Sequence, residues 1–388
     1  MKKILIIGIF VAFVLTGCGL NKSDALKEFS KKIEDSKSYY LEGKMDIINN
    51  EETYTYDVMV SYKKNDNYLV ELNNISNNHK QIILRNSNGV YVITPSLNKS
   101  FKFQSDWPYN NSQAYLLSSI VEDLNNDENR IIEQKDGGYV MTSIVNYPNN
   151  KKLVKQVVTL DKNYNIKEAQ VLDDKNNAQI KMIFSKIDLK AKLDDDIFKL
   201  NNYINETSEN NSNDVKNKKS NNNSENNNNN QNNSTDNSMN NNPNNDVNTN
   251  NNENNDQIEQ ESENSTDKEN TNNTASIDDI LYPMYLPTNT YLKNQQKLEK
   301  NDGQRLILTF DGDSPFVLIE ETVTKSSEHV VIPTFGDLSE ISDTIGVVNE
   351  NSINWFSGNM EYYVVSDKMD KTELLEVARS ISVLPVSK

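Results

Sequence analysis

One cysteine, two histidines and two tryptophans in 388 residues close off several kinds of chemistry at once. A lone Cys18 cannot form a disulfide within the chain, and no Cys or His pair has metal-ligand spacing. His79, beside Asn77 and Asn78, and His329, beside Glu328, both lie in polar stretches. No Gly-x-Ser-x-Gly elbow, P-loop or glycine-rich dinucleotide loop is present. Asp311-Gly312-Asp313 with Glu320 and Glu321 lacks the spacing of a calcium loop and reads as a turn running into a strand end. Asp194-Asp195-Asp196 reads as a charge cluster at a helix start. No catalytic residue, metal or cofactor is therefore predicted. The net charge of −17 and the absence of a basic patch interleaved with aromatics exclude nucleic acid as a partner. Apolar runs are short: the longest, Ile4 to Leu15, falls below the roughly 20 residues needed to span a bilayer.

That run follows Lys2 and Lys3, the layout of a signal peptide. It ends in Leu15-Thr16-Gly17-Cys18, which resembles the lipobox of bacterial lipoproteins. The resemblance implies cleavage between Gly17 and Cys18 and lipidation of the Cys18 thiol, holding the chain to the outer face of the cytoplasmic membrane. Two or three acyl chains make a stable anchor where one would be marginal. Residues 1–17 are read as the signal and 18–22 as a lipidated tether.

From about Glu206 to Thr274 the chain is nearly all Asn, Ser, Glu, Asp and Thr. Such a composition buries too little apolar surface to offset the entropy of ordering, so 205–275 is expected to be a disordered linker. A flexible chain of that length has a mean reach of about 45 Å. Two loosely tethered modules follow, 23–204 and 276–388.

In the first module Leu26, Phe29 and Ile33 recur on one helix face beginning near Ser23. The period then changes to two. Tyr54, Tyr56, Val58, Val60 and Tyr62 share one strand face and are the candidate lining of a cavity. The same signature follows at Tyr68, Val70 and Leu72, at Ile82 and Leu84, at Val90 and Val92, and at Phe101 and Phe103. Trp107-Pro108-Tyr109 falls in a predicted loop, where Trp107 and Tyr109 are candidate partner contacts. A second helix is predicted over Ser112–Leu124, then four strands around 139–145, 153–161, 166–172 and 180–189. Two helices beside sequential strands predict an α+β fold, a curved antiparallel sheet over helices. In the second module, turns at Asp311-Gly312-Asp313-Ser314-Pro315 and Ser357-Gly358-Asn359 each join two strands. Asp370 with Glu373 opens a helix lined by Leu374, Val377, Ala378 and Ile381. It reads as a small α+β domain.

The stretch from Arg85 through Gly89-Val90-Tyr91-Val92 to Pro95, followed by Lys99-Ser100-Phe101-Lys102-Phe103, resembles the strand-turn-strand hallmark of the LolA/LolB lipoprotein superfamily. Asp195-Asp196-Ile197-Phe198-Lys199-Leu200 is similar to the closing turn of its domain. Within that superfamily the style is that of GerS-like Gram-positive germination lipoproteins. The two-module layout is similar to RseB-type regulators. Ile353-Asn354-Trp355, Glu361-Tyr362-Tyr363-Val364 and Leu374–Ile381 resemble an uncharacterised domain of Gram-positive lipoproteins and anti-sigma proteins. The resemblance implies an unclosed β half-barrel with a helical lid and an apolar concave face. It implies a non-enzymatic lipoprotein acting through a protein partner, with a peptidoglycan-processing enzyme as one class and sporulation or germination as the setting. The alternatives are a carrier of acyl chains or lipoproteins, with an apolar ligand in its cavity, and an envelope-stress sensor regulating a sigma factor.

Overall fold

The computed structural model describes residues 22–49, 52–204 and 276–383. The signal, Gly17, Cys18 and the linker expected over 205–275 lie outside them.

Helix α1 (Lys22–Glu34) buries Leu26, Phe29 and Ile33, the three residues whose spacing predicts it. Two long strands follow, β1 (Ser38–Asn49) and β2 (Glu52–Lys63), then β3 (Asn67–Asn74), β4 (Lys80–Asn86), β5 (Gly89–Thr94) and β6 (Lys99–Phe103). After α2 (Leu117–Asn126) come β7 (Ile131–Lys135), β8 (Gly138–Ile144), β9 (Leu153–Leu160), β10 (Ile166–Asp173) and β11 (Ala178–Asp188). These strands pair antiparallel in the order β6-β5-β4-β3-β2-β1-β11-β10-β9-β8-β7, with no pairing between the two ends among the described residues. The α+β half-barrel is thus unclosed, and α1 and α2 share one core with its inner face. Helix α2 begins five residues later than predicted. Its would-be first turn is instead held open, with Ser112 Oγ donating to Asp123 and Ser119 Oγ accepting from the Gln113 N–H.

The outer face is covered in part as well. Residues 195–204 form a 3-10 turn (Asp195–Phe198) and a short helix α3 (Asn201–Ile204), which lay Phe198 and Tyr203 over Leu69, Ile82, Leu84, Tyr91 and Ile93. Strands β4 and β5 are therefore buried on both faces, which is why they read as continuous apolar runs. Ile82 and Leu84, grouped by period with the inner positions, belong to this outer layer, while Ile83 faces the core.

The second segment contributes β12 (Leu281–Pro283), β13 (Thr290–Lys300), β14 (Gly303–Gly312), β15 (Phe316–Thr322), β16 (Val330–Thr334), β17 (Asp337–Ile341), β18 (Thr344–Val348), β19 (Ser352–Ser357) and β20 (Met360–Val365). Helix α4 (Lys371–Arg379) and β21 (Ile381–Val383) close it. Seven strands form an antiparallel sheet, β13-β14-β15-β20-β19-β18-β17. Both predicted hairpins are present. At Gly312 (φ +127°) an added Cβ would lie 1.9 Å from the Asn289 carbonyl oxygen, so only glycine fits the turn. Gly358 (φ +58°) supplies the positive φ at the head of the second. Asp370 Oδ1 caps α4 by accepting from the Glu373 N–H at 2.9 Å.

Strand β16 leaves this sheet and pairs in parallel with β6, from Val330 opposite Lys99 to Thr334 opposite Phe103. It becomes the twelfth strand of the half-barrel. Val323, Leu338, Ile345, Val347 and Phe356 enter the same core as α1 and α2. The picture of two loosely tethered modules is corrected accordingly: the segments on either side of 205–275 share a sheet and a core.

Candidate functional site

Several side-chain hydrogen bonds cross the seam between the two segments. Gln81 on β4 uses its carboxamide as a stand-in for a strand: Nε2 donates to the Ile345 carbonyl (3.1 Å), and Oε1 accepts from the Ile345 N–H (2.6 Å). Phe101 and Phe356 stack, and Lys99 Nζ sits 5.5 Å from the Phe356 ring centre. Asn77 Nδ2 donates to Asp343 (3.0 Å), and Asn49 Nδ2 to the Arg379 carbonyl (2.7 Å). Arg379 is held from three sides, donating to the Glu340 carbonyl, the Ser339 hydroxyl and, across the seam, the Asn149 carbonyl.

Beside Arg379 the seam opens into a cleft of about 800 Å³. Asn49, Lys152 and Gln179 line it from one segment, Tyr285, Glu340 and Glu376 from the other. Lys152 and Glu376 pair across it at 2.9 Å. Burial pushes the Glu340 carboxyl up and the Arg379 guanidinium down. The walls mix both signs of charge and offer no concentrated field.

His329 makes the other notable seam contact. Its Nε2 lies 3.0 Å from Ser100 Oγ and its Nδ1 3.3 Å from Asn98 Oδ1. The Asn98 amide is oriented by Nδ2 donating to the Ser326 carbonyl. Because an amide oxygen only accepts, Nδ1 carries the proton and Nε2 accepts from Ser100, a neutral imidazole that burial also favours. The connectivity is that of a nucleophile, base and orienting group. However, Ser100 is 1 % exposed, set in mid-strand between β5 and β16 beneath the imidazole, so no substrate carbonyl has a path to Oγ. The trio fastens β16 to β6. His79 is likewise buried, its pKa lowered by desolvation. Among the described residues no group of three acidic, His or Cys side chains could hold a metal ion. Asp311 pairs with Lys293, Asp313 accepts from Asn289, and Glu321 is bound by Arg305 and Lys300.

The candidate cavity face of β2 is filled. Tyr56, Val58 and Val60 are buried in the core, with Tyr54 and Tyr62 half-buried against it. Trp107, expected as a partner contact, is fully buried, a correction: its loop folds inward and places the indole at the end of an aromatic row, Tyr39, Tyr62, Tyr68, Trp107, with successive ring centres 4.9, 4.8 and 5.8 Å apart. Arg85 holds the loop by donating to the Trp107 carbonyl. Tyr109 stays 47 % exposed, its ring 5.3 Å from the Arg85 guanidinium and its hydroxyl donating to Asp66 (2.7 Å). A crevice of about 270 Å³ lies between Phe29 and Ile33 of α1 and Ile166 and Phe184 of the sheet, rimmed by Lys32 and Lys186.

A family model described as sporulation protein YdcC-like matches residues 1–198, half of the chain. The chain belongs to the sporulation protein YdcC-like family. It is 28% identical over 391 residues to sporulation protein YdcC of Bacillus subtilis (strain 168), covering 98% of both chains. Among solved structures it is similar to the MucA/MucB complex of Pseudomonas aeruginosa (TM-score 0.30, 11% identity, 94% of this chain and 99% of that one). It is also similar to the CwlD amidase of Clostridioides difficile in complex with the GerS lipoprotein (TM-score 0.27, 19% identity, 43% and 94%). A LolA superfamily protein of Nitrosomonas europaea gives 0.29 at 11% identity, over 47% and 100%.

Proposed function

We propose that this YdcC-like protein is a lipid-anchored, extracytoplasmic lipoprotein that acts without catalysis, through a protein partner, at the envelope of the sporulating cell. The relationship to a sporulation protein spans 98% of each chain and supports the setting. The observation that carries the mode of action is the filled interior. A carrier needs a continuous apolar volume, and ligand pockets ordinarily measure about 300–1,000 Å³. Here the inner face is packed against α1, α2 and Trp107, leaving a crevice of about 270 Å³. The larger seam cleft, about 800 Å³, has Lys152, Glu340, Glu376 and Arg379 in its walls and suits an acyl chain poorly, so we assign binding to the outer surface, where a few desolvated aromatic anchors dominate, with Tyr109 as the anchor. Cys18 carries the lipid. No helix of the described residues is long and apolar enough to cross a membrane.

Crosslinking and capture of the mature protein from sporulating cells, compared with vegetative cells, tests this reading, with peptidoglycan-processing enzymes as the first class to examine. A sporulation-specific partner lost in Tyr109→Ala supports it. The second reading, an apolar ligand, rests on the crevice beside α1. Stoichiometric acyl chains in lipid extracts of the purified protein, with normal sporulation of the Tyr109→Ala strain, would establish that reading instead.

A further inference from the structure

We propose that β16 is a self-association edge, along which two copies of this chain pair antiparallel about a two-fold axis through Val331. Among the described residues the two large sheets present four edge strands. Three are charged: β7 bears Glu133 and Lys135; β13 bears Lys293, Lys297, Glu299 and Lys300; β17 bears Asp337 and Glu340. Charged side chains are the usual protection of an open edge. Strand β16, Val330-Val331-Ile332-Pro333-Thr334, has none, and the next residue, Phe335, is 80 % exposed. In a chain of net charge −17, an uncharged strand is where two copies meet without setting like charges face to face.

The backbone of β16 is self-complementary. The Val330 N–H donates to the Asn98 carbonyl, and the Thr334 carbonyl accepts from the Gln104 N–H, so Val330, Ile332 and Thr334 turn their backbone groups toward β6. By the alternation of a strand, Val331 and Pro333 turn theirs outward, as does His329 where the chain enters the strand. In a two-fold register centred on Val331, each Val331 exchanges both of its bonds with the Val331 of the other copy. Each His329 N–H then meets a Pro333 carbonyl. Proline stands at a position whose missing donor costs the twelve-stranded sheet nothing. In the dimer each proline leaves one carbonyl, that of the facing His329, without a strand partner. The side chains agree with the backbone. Ile332 packs on the core, which places Val331, Pro333 and Phe335 on the opposite face, with Val331 40 % exposed. Two copies in this register bring two such apolar rows together.

The test is analytical ultracentrifugation of residues 19–388 from low micromolar to submillimolar concentration at physiological salt. The expected result is a reversible doubling of mass. V331K sets two ammonium groups directly opposite each other and should weaken the association by about tenfold or more. Because Val331 lies on the surface, circular dichroism and melting of that variant should match the parent. A second measurement fixes the register. Residues 19–388 contain no cysteine, so V331C provides the only thiol. Paired Cα atoms about 5.5 Å apart lie within disulfide reach, so V331C should oxidise to a covalent dimer, whereas S185C, at an exposed position of β11 away from β16, should not. A mass that stays monomeric throughout overturns the proposal. So does a dimer undiminished by V331K, or a V331C protein that crosslinks no faster than S185C.

Discussion

Phe101 and Phe356 stack with ring centres 5.0 Å apart and planes 17° from parallel, one ring from each side of the Asn-rich segment. Both are buried, in a core that also holds α1 and α2. Phe356→Ala removes a large side chain from that shared core and should cost about 3–5 kcal/mol. The loss should appear as one cooperative transition at a lower denaturant midpoint, followed in parallel by Trp fluorescence and far-UV circular dichroism. Two separate transitions, with only one shifted, would mean that the segments fold independently.

Gln81 replaces a strand partner for Ile345, and its removal leaves a buried N–H and a buried carbonyl with nothing to bond. Gln81→Leu keeps the bulk and loses both bonds. We expect a destabilisation of about 2–4 kcal/mol, more than the net worth of two hydrogen bonds, because unmet buried groups retain their desolvation cost. Chemical denaturation of the two proteins side by side measures it.

Limited proteolysis addresses the same seam without a mutation. By composition, the first cuts are expected between Glu206 and Thr274. The two products should co-elute on size exclusion and part only in denaturant, since β16 and Phe356 stay bound to the other product. Products that separate in native buffer would refute the shared core.

Glu320 provides a pH test. Its side chain is fully buried, with Oε2 accepting from the Leu281 N–H at 3.2 Å and Oε1 without a partner, and burial pushes its carboxyl up to about 7. The native state therefore holds a proton that the unfolded chain releases near pH 4–5. Stability from this group falls as pH rises from there to about 7 and levels off above it, when both states are ionised. Glu320→Gln should flatten that slope. It should be about 1–3 kcal/mol more stable than the parent at pH 8, while the two converge at pH 4. A parallel offset at every pH would assign the effect to packing instead.

Elements whose burial follows their own local period were legible in the sequence. Strand β2 alternates cleanly, α4 carries its Asp370 cap, and both glycine turns are where composition puts them. Strand β1 alternates in burial, but its inward position between Leu41 and Met45 is Gly43, which puts a gap in the apolar pattern; a Cβ there would lie 2.3 Å from the Ile183 carbonyl oxygen. Strand β13 has exposed residues on both faces, so it has no apolar pattern to read. Trp107 was misplaced because a loop position says nothing about which way the loop folds. The contacts of His329 with Asn98 and Ser100, like the pairing of β16 with β6, join residues far apart in the sequence. Only the charge-free character of Val330–Phe335 was available as a hint, and it pointed equally to a buried strand.

The span between Ser100 and His329 is 229 residues. A chain made amino end first presents β6 long before the strand that covers its outer side. Until then β6 is a bare edge, and the floor beneath Phe101 lacks Phe356. Closing so large a loop makes the final docking a late and slow event. The half-barrel therefore spends its early life unfinished, open to holdases or to a neighbour's strand, and the speed with which the chain is completed should govern yield more than the stability of the finished protein does.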